Sequence, residues 1–205
     1  VSSIDPFGDG SLVAKYELDG NANDTTGTYN GTSTGATYIA GKYGQGATFT
    51  TTTSRIDALP LGVKSISLVL NTVASPTSFI ADFRAQGGAG YIYIDGGFIQ
   101  YSPSFMSNVK VNGVAAASGV YAMTQHNGVD VQIYFELVTI QNELRIGNDN
   151  TLTYELDNGY IDQVECYNRV LTATEVTTLY TQTSTKYSAD FNTPLASIPT
   201  SVYRL

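Results

Sequence analysis

Short runs of alternating apolar and polar residues, separated by turn dipeptides, constrain the fold of this chain more than any other feature. In the run Leu12–Leu18, Lys15 and Glu17 stand between apolar side chains, as in a strand with one buried face. Turn dipeptides such as Asn30-Gly31 and Asn112-Gly113 separate these runs. Similar runs predict strands at Ala47–Thr50, Ser65–Asn71, Ser78–Arg84, Tyr91–Asp95, Phe98–Tyr101, Val109–Asn112, Val131–Val138 and Glu143–Gly147. Many short strands at roughly 8–12-residue spacing predict an all-β antiparallel sandwich, not an α/β fold.

One short helix is predicted near the C-terminus. Thr172 can act as its N-cap, and Glu175, three residues later, completes a capping box. Val176, Leu179 and Tyr180 follow at helical spacing and form an apolar stripe. We therefore expect this helix to pack against the sandwich.

The composition excludes several classes of protein. A chain of 205 residues suits a single β-sandwich domain. The net charge is −8 and the ten basic residues are scattered, whereas nucleic-acid binding needs clustered Lys and Arg. No run approaches the ~20 apolar residues of a membrane helix, so no membrane partner is expected. The single cysteine, Cys166, cannot form an intramolecular disulfide and is interpreted as a small buried hydrophobe.

Two distant segments of the sequence carry a family resemblance. The opening segment is Leu12-Val-Ala-Lys-Tyr-Glu-Leu-Asp-Gly-Asn-Ala-Asn-Asp-Thr-Thr-Gly27, and the closing one begins Gly159-Tyr-Ile-Asp-Gln-Val-Glu-Cys-Tyr-Asn-Arg-Val-Leu-Thr172. The closing segment resembles the end of concanavalin A-like, laminin-G-like jelly rolls: Gly, any residue, Ile-Asp-Glu-Val, then Tyr-Asn-Arg-Ala-Leu-Ser and a capped helix. Gln163 and Glu165 depart from that pattern, and the chain lacks the family's frequent Trp. The resemblance implies a jelly roll over residues 12–183, with the first and last strands as antiparallel neighbours.

The two ends of the chain differ from this domain. Residues 1–11 are interpreted as an extended lead-in, without the features of a signal peptide. Residues 184–205 are predicted to be an extended tail that docks on protein neighbours in an oligomeric assembly, with Tyr187, Phe191 and Tyr203 as anchors. The opening Phe7-Gly-Asp-Gly-Ser11 is similar to segments that precede the first strand in bacteriophage virion and tail proteins. That similarity implies a location on a virion surface or outside a cell.

A calcium site is predicted where the opening and closing segments meet. Asp162 would stand at the start of the last strand, on the same face as Val164, and a buried carboxylate needs donors or a cation. The turn from Asp19 to Asp24, with Asn21 between them, offers further oxygen atoms of the kind that Ca²⁺ binds. The family resemblance also implies calcium at a comparable edge. The alternative is that these residues hydrogen-bond to backbone N–H groups in Asx turns.

Aromatic residues suggest a second kind of site. Tyr91, Tyr93, Tyr101 and Tyr121 would form an exposed surface on which sugar rings stack, or else pack in the ordinary way with their hydroxyls in solvent.

The acidic residues give little support to catalysis. Retaining glycosidases need two carboxylates about 5–5.5 Å apart. Glu155 and Asp157 have suitable spacing, but Asn158-Gly159 ends the strand at once. The only histidine, His126, lies in a turn far from Cys166 in sequence and is not expected to activate it.

The sequence therefore predicts a non-enzymatic structural or adhesion module, part of a virion as a capsid decoration, tail or fibre protein, that binds protein neighbours and surface glycans. The alternative is a free-standing, lectin-like carbohydrate-binding protein. A glycoside hydrolase or lyase is the third hypothesis.

Overall fold

A computed structural model describes residues 4–73, 77–84 and 90–181 as two antiparallel sheets packed face to face. The eight-stranded sheet comprises β1 (Leu12–Tyr16), β3 (Thr37–Ala40), β4 (Gln45–Thr48), β6 (Val63–Thr72), β10 (Met106–Val111), β11 (Val114–Ala115), β12 (Val131–Gln141) and β14 (Gly159–Tyr167). The six-stranded sheet comprises β2 (Thr32–Thr34), β5 (Arg55–Ala58), β7 (Ser78–Asp82), β8 (Tyr91–Asp95), β9 (Phe98–Tyr101) and β13 (Leu144–Ile146). A 3-10 turn spans Met123–His126, and helix α1 spans 173–181.

The strand order confirms the predicted sandwich. The eight-stranded sheet runs β11-β10-β12-β6-β14-β4-β3, and the six-stranded sheet runs β2-β5-β13-β7-β8-β9. Strand β1 pairs with β14 in antiparallel fashion, with Leu12 opposite Tyr167 and Tyr16 opposite Val164. The two ends of the domain are thus joined, as the closing segment predicts.

The main core lies between the two sheets. Alternate residues of each strand point into it because side chains on a strand face opposite sides in turn. Leu68, Leu70, Ile133 and Phe135 contribute from the eight-stranded sheet, and Ile56, Ile80, Ile92, Ile94 and Ile146 from the six-stranded sheet. Each of these side chains is buried, so the core rests on packing without a disulfide.

A second, smaller core covers part of the outer face of the eight-stranded sheet. Helix α1 packs Val176 and Leu179 against Tyr134 and Tyr167. The predicted capping box is present: the Thr172 hydroxyl accepts the Glu175 N–H at 3.2 Å, and the Glu175 carboxylate accepts the Thr172 N–H at 2.7 Å. Over the part of the chain that the structure describes, no helix is long and apolar enough to cross a membrane.

Residues 4–11 also pack against this outer face, in a bent conformation where the sequence predicts an extended one. Asp5 accepts the N–H groups of Phe7 and Gly10, and the Phe7 ring packs on Tyr167 with centroids 5.8 Å apart. Arg169 joins Asp9 and Glu175 at 2.7 Å each, which ties this segment to α1. The predicted tail, residues 184–205 with Tyr187, Phe191 and Tyr203, lies outside the described residues.

Candidate functional site

A β-bulge in the closing strand reverses the faces of the sheet on which successive side chains lie. Asp162 therefore lies on a different face from the one that the sequence predicts. Ile161 and Val164 both face the main core, and the strand register shifts between Asp162 and Glu165. Gln163 takes up the extra position with a positive φ of 50°. Asp162 therefore lies on the outer face of the sheet, and the expectation that it shares a face with Val164 is wrong.

Asp162 and Asp19 both bind the connection between β3 and β4. The Tyr43 N–H donates to Asp162 Oδ2 at 2.9 Å, and the Gln45 N–H donates to Asp19 Oδ1 at 2.5 Å. Glycine is required at Gly44, because φ is 76° and a Cβ there would overlap the Asp19 carboxylate. We call this arrangement of Asp19, Asp162 and residues 41–46 the carboxylate loop.

The carboxylate of Asp162 is electrostatically unfavourable where it lies. Its side chain is 0% exposed, and Oδ1 has no hydrogen-bond partner among the described residues. Burial raises the pKa of Asp162 to about 7; the Tyr43 N–H opposes this rise, and the nearby Asp19 charge adds to it. An anion buried in this way is stabilised by a proton or by a cation.

The other two predicted metal ligands are engaged in turns. Asp24 accepts backbone N–H groups from Lys15 at 2.9 Å and Tyr29 at 2.9 Å. Burial acts to raise the pKa of Asp24, but hydrogen bonds from Thr26, Lys15 and Tyr29 outweigh it and lower the pKa. Asn21 accepts the Asn23 N–H and donates to the Asp19 carbonyl. The bond from the Asn23 N–H to Asn21, and a further one from the Thr26 N–H to Asp24 at 2.9 Å, are the Asx-turn bonds of the alternative interpretation.

The residues present fit a cation in part. Asp19 and Asp162 converge on one loop, and among the described residues Oδ1 of Asp162 has no hydrogen-bond partner. The side-chain oxygens of Asn21 and Asp24 accept backbone N–H groups instead. Among residues 4–73, 77–84 and 90–181, no group of three or more acidic, His or Cys side chains is placed to hold a metal. A cation here would need further oxygens from backbone or water, since Ca²⁺ takes 6–8.

An aromatic cluster lies on the outer face of the six-stranded sheet, away from the carboxylate loop. Because Ile92 and Ile94 face the core, Tyr91 and Tyr93 point outward, and Phe79 lies directly opposite Tyr93 on the next strand. The Phe79 ring stacks on Tyr93 with centroids 5.0 Å apart, and Tyr91 lies 5.3 Å from Tyr93. Tyr154 stacks on Phe79 at 6.2 Å and is 47% exposed. We call Phe79, Tyr91, Tyr93 and Tyr154 the aromatic platform.

Asp149 holds Tyr154 in place. Its Oδ1 accepts the N–H groups of Thr153 at 2.7 Å and Tyr154 at 3.0 Å, and Oδ2 accepts that of Thr151 at 3.1 Å. The side chain is almost fully buried, so the loop closes around its carboxylate. This local order presents an exposed tyrosine ring from a loop of fixed shape.

A charged pair borders the aromatic platform. Arg84 donates to Asp82 through Nε at 3.1 Å and through Nη2 at 2.5 Å, and its guanidinium lies 4.2 Å from the centre of the Tyr91 ring. The Asp82 carboxylate raises the pKa of Arg84. Asp82 also accepts the Asn150 N–H at 3.0 Å, which fixes β7 against the Asp149 loop. The site thus combines flat apolar rings with oriented hydrogen-bonding groups.

Two of the four tyrosines considered in the sequence lie elsewhere. Tyr101 follows core-facing Ile99 by two residues and donates its hydroxyl to the Ala116 carbonyl at 3.0 Å. Tyr121 stacks on His126, with its hydroxyl 3.0 Å from Nε2. Phe79 and Tyr154 were not among the predicted aromatics. Alternation would place Phe79 with Ala81 and Phe83 on the core face, but the register shifts between Phe79 and Ala81, and Phe79 lies outside that core. The position of Tyr154 depends on a loop.

The remaining candidate residues have structural surroundings. Cys166 is fully buried, and burial raises the pKa of its thiol, which suits a packing role. Glu155 pairs by a single bridge with Asn148, and Asp157 accepts the Asn158 side-chain amide at 2.7 Å. Burial lowers the pKa of His126, whose ring partner is Tyr121.

Comparisons with known proteins identify the fold. No family model and no curated protein matches the chain. The receptor-binding domain of botulinum neurotoxin mosaic serotype C/D is similar at 13% identity and a TM-score of 0.58, over 83% of this chain and 50% of that one. A Trypanosoma rangeli sialidase mutant with trans-sialidase activity is similar at 12% identity and 0.56, over 85% and 33%. Domain 4 of AbnA, a GH43 extracellular arabinanase from Geobacillus stearothermophilus in complex with arabinotriose, has 18% identity and 0.48, over 83% and 98%.

The first two comparisons support a common β-sandwich fold, in agreement with the jelly-roll prediction. This chain spans only half of the neurotoxin domain and a third of the sialidase. At such low identity the likeness is one of fold alone.

Proposed function

We propose that this chain is a non-enzymatic module that binds a glycan on the aromatic platform of its six-stranded sheet. The observation that carries the proposal is a set of four adjoining rings: Tyr91 and Tyr93 are partly exposed on an outer sheet face, Phe79 is buried between its neighbours at 6% exposure, and Tyr154 on the adjoining loop is 47% exposed. Isolated exposed aromatics are ordinary, but adjoining rings held by two strands and an ordered loop are typical of binding surfaces.

The chemistry of a sugar ring matches this surface. One face of a pyranose presents C–H groups with a slight positive charge, which the negative face of an aromatic ring attracts. The hydroxyls at its edge need hydrogen-bond partners, and the partly exposed Arg84, which the buried Asp82 orients, lies beside Tyr91 and Phe79. A glycan that packs its ring faces on the protein and forms hydrogen bonds with its hydroxyls loses little free energy when it leaves water.

We propose further that the module serves adhesion within a larger assembly, on a virion surface or outside a cell. This part rests on the resemblance of Phe7–Ser11 to segments of virion proteins and on the apolar residues predicted to anchor the tail. Exposed Leu59 and Leu61 and exposed Val138 and Ile140 lie on neighbouring segments at one end of the sandwich, and they suit contact with a protein neighbour. Purification of the chain inside a large assembly would support this setting, whereas a chain that purifies alone would favour the free-standing lectin.

We also propose that Asp19 and Asp162 hold a Ca²⁺ ion at the carboxylate loop. When bound, the cation supplies the positive charge that a buried carboxylate with an unpartnered oxygen needs. Tyr43 and Gln45 orient the two carboxylates through their N–H groups. The ion would stabilise the junction of the opening and closing segments and has no part in glycan contact.

A glycan array followed by calorimetric titration tests the proposed function. We expect Tyr154→Ala to weaken binding about tenfold, which corresponds to about 1.4 kcal/mol. Ile140→Ala is the matched control, since Ile140 is 60% exposed but lies on the other sheet. The proposal fails if no glycan binds, or if both variants bind like the parent chain. Release of shortened products from a bound glycan would contradict the non-enzymatic part.

A further inference from the structure

We propose that the aromatic platform selects neutral glycans over acidic ones; this inference rests on the proposed function. The observation behind it is that the arginines around the platform already have carboxylate partners. A glycan carboxylate or sulfate gains little from a cation whose charge is neutralised, because it must displace the partner already present.

Arg84 is in contact with the rings, and the carboxylate of the buried Asp82 neutralises its charge. Asp82 is 0% exposed and receives both Nε and Nη2 of Arg84. The guanidinium is fixed between this carboxylate and the face of Tyr91. An anionic ligand would therefore approach a pair, while a neutral hydroxyl can still hydrogen-bond to it.

Two further arginines of the same face share one carboxylate. Arg55 donates to Asp57 Oδ2 at 2.7 Å, and Arg145 donates to Asp57 Oδ1 at 2.6 Å. Arg145 also donates to the Asp149 carbonyl at 3.2 Å. In the cross-strand register Asp57 lies opposite Arg145, which lies opposite Asp82, so charges alternate along the row that leads to Tyr91.

The wider field also disfavours an acidic ligand. Three arginines and four aspartates lie on the described part of this face or directly beside it: Arg55, Arg84 and Arg145, with Asp57, Asp82, Asp95 and Asp149. The loop that contains Asp149 adds Glu155 and Asp157. The whole chain has a net charge of −8. A polyanion is repelled at long range, whereas a neutral sugar is insensitive to the field.

Matched pairs of ligands test the inference on the intact chain. Neutral oligosaccharides of glucose, galactose and arabinose are compared with the same oligosaccharides carrying a uronate, a sialic acid or a sulfate, at low and at physiological salt. We expect the neutral member of a pair to bind more tightly, with an affinity that changes less than about twofold with salt. An acidic member that binds more tightly, and weakens as salt rises, overturns the inference and leaves the proposed function intact. If neither member of any pair binds, both fail.

Removal of a compensating carboxylate gives a second, independent test. Asp57→Asn leaves Arg55 and Arg145 without their shared partner, so the ratio of acidic to neutral affinity should rise by about two- to fivefold, the factor of one partly exposed charge pair. Asp9→Asn is the matched control, because it removes an equal charge and an ion pair with Arg169 on the opposite sheet. Asp95→Asn, at an exposed position of β8 where the carboxylate accepts the Thr77 hydroxyl at 2.8 Å, removes one negative charge from the same face and tests the contribution of the wider field should Asp57→Asn not fold. A ratio that stays the same in both platform variants overturns the inference.

Discussion

Replacement of Asp162 by asparagine should change how the stability of the domain depends on pH. Asp162 is fully buried, and its pKa of about 7 lies well above the ordinary value of 3.8. At 1.36 kcal/mol per pKa unit, this difference corresponds to about 4 kcal/mol of unfolding free energy. Asparagine removes the titration and keeps an oxygen that can accept the Tyr43 N–H.

The sign of the effect follows from proton binding. The folded chain binds the Asp162 proton more tightly than the unfolded chain does, so this group stabilises the fold most below pH 4. That contribution is lost as the pH rises from about 4 to about 7, and it is constant above pH 7. The unfolding free energy of Asp162→Asn minus that of the parent should therefore increase by about 4 kcal/mol between pH 4 and pH 8.

Urea denaturation of both proteins, at several pH values in the presence of a chelator, measures this difference. Other carboxylates titrate in both chains and cancel, and so does any constant cost of the buried amide. The chelator is needed because a bound cation would keep Asp162 ionised in the folded chain and would hide its titration. A difference that stays within about 1 kcal/mol over the whole pH range would refute the assignment of Asp162 as a buried, poorly compensated carboxylate.

Further predictions concern the carboxylate loop, the opening turn and the tail. Calcium at 100 times its dissociation constant should raise the unfolding free energy of the parent chain by about 2.7 kcal/mol and so raise its melting temperature. Asp162→Ala should abolish this rise. A protein that is stripped of metal and melts at the same temperature with and without calcium contradicts the site. Gly44→Ala should destabilise the domain by about 1–3 kcal/mol in urea denaturation, because it adds strain at positive φ and displaces the Asp19 carboxylate from the Gln45 N–H. Gly62→Ala, at a positive φ with open space, should cost less. Deletion of Thr183–Leu205 should leave the circular dichroism spectrum unchanged and reduce the assembled mass in light scattering, because the tail is expected to dock on protein neighbours. Loss of the β signal would instead mean that this segment belongs to the domain core.

The alternation pattern predicts long and half-buried strands well. Strands β8 and β9 have the predicted bounds, since their buried isoleucines alternate with more exposed residues and a Gly-Gly turn separates the two strands. Strands β2, β3, β5 and β11 were not predicted. They have two to four residues, and β2, β3 and β11 are largely exposed, so their pairing comes from neighbours rather than from a local pattern.

The sites were less predictable than the strands, for physical reasons. The opening and closing segments correctly brought Asp19 and Asp162 to one region, because β1 pairs with β14. The face of Asp162 could not be predicted, since a bulge of one residue at Gln163 reverses it. The loop that Asp149 organises brings Tyr154 to Phe79 across 75 positions of sequence, and no local spacing encodes such a contact.

The positions of the described segments outside the strands have a consequence for orientation. Helix α1, residues 4–11 and the carboxylate loop cover parts of the eight-stranded sheet, so the chain leaves residue 181 on that side of the sandwich. The aromatic platform lies on the opposite side. A domain tethered through the segment that follows α1 would therefore point its rings away from the tether, with the thickness of two sheets between anchor and ligand. If the platform binds a glycan as proposed, copies arranged side by side on a support would display their platforms outward in parallel, and weak single contacts would add up over an array.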